Sequence, residues 1–138
     1  MEKERITILI ITNSDELLSN APIELSHDIV TLAILQDKEE VIQFCHHLPP
    51  DILLIDLETP DLNIVELVHE IDEYFPKIQM IGIINSGDKE LIQTFLEAGA
   101  VGCILKEELN KNLSQLIRSA YAGNFVFSPK VTKLLLSS

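Results

Sequence analysis

A chain of 138 residues that is 46% hydrophobic and lacks tryptophan is long enough to bury one core and too short for two ordinary domains. Its 22 acidic against 10 basic side chains give a net charge of −12, which argues against this portion gripping nucleic acid itself, because such binding rests on Lys and Arg neutralising phosphates. The longest apolar runs, such as 8–11 and 52–55, fall far short of the ~20 residues that span a bilayer, and Met1-Glu-Lys-Glu-Arg5 opens no apolar signal region. A soluble, cytoplasmic protein with no membrane contact is expected.

Short, nearly continuous apolar runs alternate along the chain with longer amphipathic stretches, the pattern of parallel strands buried on both faces and covered by helices. Strands are predicted at 5–11, 28–35, 51–55, 78–84 and 101–105. After the first, Ser14 or Asp15 is placed to cap a helix, but Pro22 lies inside it and predicts a short or broken element. Asp37 caps a helix running to His47, with Val41, Ile42, Phe44 and Cys45 as its apolar face and Pro49-Pro50 as its end. Asn63 caps 64–74, which stops before Pro76, and Asp88 opens a helix to Ala98 closed by Gly99. In the last helix Leu109, Leu113, Leu116, Ile117 and Ala120 share one face, and Gly123 ends it. Right-handed crossovers turn such units into a five-stranded doubly wound α/β sheet with helices on both faces. Residues 1–124 form the expected domain, and 125–138 read as a turn, a short amphipathic beginning and the start of a linker.

In an open α/β sheet the binding crevice lies beyond the carboxyl ends of the strands. That rule nominates 12–15, 56–61, 85–88 and 106–108. Asp56 and Lys106 each directly follow an apolar strand and would meet in one cleft as an ion pair. Glu58 and Asn85 lie on its rim, with solvation the simpler account of Glu58. Asp15 suits a helix cap better than a metal. His46 and His47 diverge by about 100° on a helix and make a poor metal pair, and His69 is expected in solvent. Cys45 and Cys103 have no paired spacing and read as reduced structural thiols. The first loop lacks the glycines of a phosphate cradle, so nucleotide and flavin binding find no support.

The segment Asp51-Ile-Leu-Leu-Ile-Asp56-Leu-Glu-Thr-Pro60 resembles the phosphoacceptor strand and loop of response-regulator receiver domains. Glu97-Ala-Gly-Ala-Val-Gly102-Cys-Ile-Leu-Lys106 resembles the family's approach to its invariant lysine, and Ala122-Gly-Asn-Phe-Val-Phe-Ser-Pro129 resembles the exit into the linker of NarL/FixJ-type regulators. The resemblance covers essentially the whole chain. It implies a flavodoxin-like fold with strand order 2-1-3-4-5 and an aspartate, at Asp56, phosphorylated by a histidine kinase. It also implies a divalent cation held by an acidic pair after the first strand, a Ser or Thr after the fourth that bonds the phosphoryl group, and an aromatic switch in the fifth.

Here the acidic pair reads Thr12 and Asn13, the hydroxyl position Ile84 and the aromatic position Cys103. Mg²⁺ needs hard anionic oxygens, so cation binding is expected to be weak or absent, with no metal site and no other cofactor. The expectation is an atypical receiver, a pseudo-receiver that is not an enzyme and acts through protein–protein contact in transcription regulation. Its expected partners are a second copy, through the fourth or fifth predicted helix, and a histidine kinase or other regulatory protein. DNA would be reached only through a C-terminal domain beyond this chain. Two alternatives stay open: a phosphoacceptor with a makeshift cation site from Asn13, Asp15 or Glu58, and a stand-alone adaptor.

Overall fold

A computed structural model describes residues 5–13, 25–85 and 87–137. The strands are β1 (Ile6–Ile11), β2 (Ile29–Leu35), β3 (Ile52–Asp56), β4 (Gln79–Ile84), β5 (Gly102–Leu105) and β6 (Val126–Phe127). The helices are α1 (Lys38–His47), α2 (Ile64–Tyr74), α3 (Lys89–Glu97), α4 (Leu109–Tyr121) and α5 (Pro129–Leu136), with a 3₁₀ turn at Lys106–Glu108. All strand pairs are parallel, in the order β2-β1-β3-β4-β5-β6.

Each central strand alternates its side chains between two cores, as the period of two requires. Leu53 and Ile55 of β3 join Val41, Leu67, Ile71 and Phe95 on one face, and Ile52 and Leu54 join Leu113 and Ile117 of α4 on the other. Helix starts follow the predicted caps. Asp37, Asn63 and Asp88 accept hydrogen bonds from the amides of Glu40, Glu66 and Leu91, which satisfies donors that a helix leaves unpaired at its start. Gly99 (φ 127°) and Gly123 (φ 98°) take the left-handed conformation just past α3 and α4. Within the apolar stripe of α3, Ile92 and Phe95 are fully buried, so its centre belongs to the core. His46 stacks edge-on against Phe75. The predicted first helix, with Ser14, Asp15 and Pro22, lies outside the described residues. Among the described residues no helix is long and apolar enough to cross a membrane.

The strand count requires a correction, since the sheet has six strands where five were expected. Residues expected to begin a linker instead form β6 and α5. Val126 and Val131 are buried, and the Leu105 amide donates to Ser128 Oγ at 3.0 Å. Gly102 makes this closure possible, because a Cβ there would stand 2.1 Å from the carbonyl oxygen of Val126. Gly102→Ala should therefore destabilise the domain by about 1–3 kcal/mol through overpacking. Urea unfolding, together with amide exchange over 126–136, checks this; unchanged stability and exchange would show that β6 does not depend on that contact.

Candidate functional site

Parallel order places the carboxyl ends of β1, β3, β4 and β5 along one edge, and five predicted residues, Thr12, Asp56, Glu58, Asn85 and Lys106, gather there. Asp56 ends β3 at 2% exposure. Its Oδ2 accepts a 2.8 Å hydrogen bond from Thr12 Oγ1 and faces Lys106 Nζ at 3.6 Å, while Oδ1 accepts the Glu58 amide at 3.0 Å. The carbonyl of Asp56 accepts both the amide and the hydroxyl of Thr59, which tightens the turn that follows. Asp61 lies in the next turn, closed by the Leu62 amide on the Thr59 carbonyl, at φ 62°, a left-handed position that Asp tolerates better than most residues. Burying a carboxylate is costly unless it is paired and hydrogen-bonded, and here both oxygens are engaged. Lys106, 18% exposed, supplies the opposite charge from across β4.

The rim residues also meet. Glu58 Oε1 accepts the Asn85 amide at 2.7 Å, so Glu58 is turned towards the β4 loop although it is otherwise exposed. Asn13, two residues past the end of β1, is exposed. Ile84 and Cys103 are fully buried in the apolar core with Phe95, Leu105 and Val131. Burial pushes the Cys103 thiol up to about 12 and the Cys45 thiol up to about 11; both cysteines are free.

The family's cation calls for several anionic oxygens at one point. Thr12 spends its hydroxyl proton on Asp56, Lys106 brings an ammonium to the same oxygen, and the Glu58 carboxylate is bonded to Asn85. Among the described residues no three His, Cys, Asp or Glu side chains cluster to hold a metal. Among the described residues, this donor set does not fit a divalent cation.

Sequence reasoning missed two buried polar residues beside the site. Glu108 Oε1 accepts the Lys130 amide at 3.1 Å and so caps α5, and Ser128 holds Leu105. Glu108 reads in sequence as an ordinary first-turn acid, and only the packing of α5 gives it a partner.

The response regulator receiver domain model matches residues 8–118. This chain belongs to that family. Among curated relatives of the receiver domain, NarL of Escherichia coli K12, a nitrate/nitrite response regulator, is 29% identical over 143 residues, covering 99% of this chain and 64% of NarL. LnrK, a transcriptional regulatory protein of Bacillus subtilis, is 25% identical over 132 residues, covering 94% of this chain and 60% of LnrK. The receiver thus spans less than two thirds of these relatives. In fold it is similar to RcsB of Salmonella typhimurium (TM-score 0.82, 18% identity, covering 96% of this chain and 67% of that one). A LuxR-family response regulator from Aurantimonas sp. SI85-9A1 is similar too (TM-score 0.79, 20% identity, 95% of each chain).

Lys106→Met removes one member of the Asp56 pair and should cost on the order of 2–3 kcal/mol, below the value for a fully buried pair because Lys106 keeps some solvent contact. The added loss should shrink when Asp56→Asn is already present. Urea unfolding of the two single variants and the double variant tests this, and additive losses would mean that the pair is not coupled. At pH 8 a thiol titrating near 12 or 11 is ionised on the order of one part in ten thousand or one part in a thousand. Cys103 and Cys45 should therefore resist a soluble disulfide reagent until urea is added. Rapid labelling of both in the folded protein would contradict their burial.

Proposed function

We propose that this receiver domain is a pseudo-receiver, a signalling module that works through protein contact without phosphorylation. The observation that carries the reading is the Asp56 carboxylate, with both oxygens held by Thr12, Glu58 and Lys106, beside a loop with Thr12 and Asn13 in place of an acidic pair. Phosphoryl transfer is mostly positioning and charge stabilisation. Without a cation the incoming oxygens meet the Asp56 and Glu58 carboxylates with Lys106 alone to offset them, so transfer is slow or absent and Mg²⁺ binding weak. The apolar Ile84 offers no hydrogen bond to a phosphoryl group, and Cys103 has no ring to swing. Asp56 then serves as a structural ion-pair partner.

The proposed setting is a cytoplasmic NarL-type transcription regulator, not an enzyme, with DNA contacted through a domain beyond this chain. Support comes from the relatives' greater length and from RcsB, which has been solved as two dimers bound to two parallel DNAs. Partners would be a second copy and a histidine kinase or other regulatory protein.

Incubation with Mg²⁺ and a small phosphodonor, followed by intact mass measurement, tests the reading. The expected spectrum shows no phosphate-sized gain. A gain that disappears in Asp56→Asn would overturn it and favour the phosphoacceptor with a makeshift cation site from Asn13, Asp15 or Glu58, of which the Glu58 carboxylate lies on the described pocket rim.

A further inference from the structure

We infer that the groove between α4 and α5 is a docking site for an acidic amphipathic helix of a partner protein. The inference goes beyond the proposed function, because it does not use the phosphorylation state of Asp56. Residues 106–138 hold five Lys and Arg against two acids, Glu107 and Glu108, a net of +3, so the first 105 residues carry −15 and the whole chain −12. That asymmetry sets the C-terminal segment apart in charge from the rest of the chain.

The structure gathers much of this positive charge in one place. A groove of about 560 Å³ is floored by Leu116, Phe127 and Pro129 and rimmed by Lys111, Lys130 and Lys133. Lys130 pairs with Glu107 at 3.0 Å, with both side chains more than half exposed, so the pair is weak and exchangeable. Lys111 and Lys133 make no ion pair with any described residue. In a chain with more than two acids per base, two lysines left unpaired on one apolar groove are suited to anions from outside. The groove is also held in shape before any partner arrives, because Glu108 caps α5 and Ser128 ties its start to β5, which lowers the ordering cost of binding.

A helix with an apolar stripe fits between two helices as a third ridge in their groove, and its carboxylates meet the three lysines. Duplex DNA fits poorly. It carries one charge per ~1.7 Å and would run past the groove onto the acidic remainder, whereas a helix of a few turns ends within it.

The test titrates the full chain into three labelled amphipathic peptides that share one Leu/Phe stripe and differ only in carrying Glu, Gln or Lys at the polar positions. A labelled DNA duplex is the fourth probe. The Glu peptide should bind about tenfold or more tighter than the Gln peptide, weaken with salt as complementary charge requires, and lose most of its affinity in Lys111→Gln/Lys133→Gln. Lys77→Gln, a change to an exposed lysine before β4, should leave binding intact, and circular dichroism confirms that each variant is folded. Equal binding of the Glu and Gln peptides, no binding of the Glu peptide, or an unaffected double variant overturns the proposal. Duplex binding that depends on Lys111 and Lys133 also overturns it, by making the groove a nucleic-acid surface.

Discussion

A carboxylate at 2% exposure is the most demanding feature of this molecule, because desolvating an unpaired charge costs several kcal/mol. The fold meets that demand with groups from the ends of different strands. Thr12 comes from the end of β1, the Glu58 amide from the turn after β3 and Lys106 from the end of β5. Because β4 lies between β3 and β5, Lys106 must reach over it, and the apolar Ile84 at its end competes for neither partner. The strand order and the neutral Thr12-Asn13 pair therefore support the same closed arrangement around Asp56.

The 3₁₀ turn Lys106–Glu108 joins that arrangement to the C-terminal segment. Its first residue contributes the ammonium of the ion pair, its last caps α5, and Leu105 just before it donates to Ser128. Two buried polar clusters thus share a three-residue turn. A polar group left half-satisfied in such a place is expensive, so movement of the turn is opposed from both ends. This explains why a two-residue strand and an eight-residue helix, each marginal alone, are firmly part of the domain.

Much of this was legible in the sequence, for physical reasons. The five longer strands announce themselves as Ile, Leu and Val runs. Asp37, Asn63 and Asp88 precede their helices at capping positions, and Asp56 and Lys106 follow apolar strands whose order puts them in one crevice. What was not legible depends on contacts distant in sequence. β6 is too short to show a period and exists because Gly102 lets Val126 approach. Glu58 is exposed on the rim as its position suggests, but its bond to the Asn85 amide arises from two loops that only the folded sheet brings together. Glu108 and Ser128 look like surface residues until α5 covers them.

A conformational switch needs two packings of similar free energy, since a ligand can shift an equilibrium only by its difference in affinity for the two states. At the two positions where a receiver would keep such a choice, this chain has Ile84 and Cys103, fully buried against Phe95, Leu105 and Val131. Close-packed interiors resist partial rearrangement, and neither side chain has a polar group that a second arrangement would satisfy better. Burial holds the Cys103 thiol neutral, which also removes charge as a means of reordering β5. In this packing neither Ile84 nor Cys103 offers the second arrangement that such a switch needs.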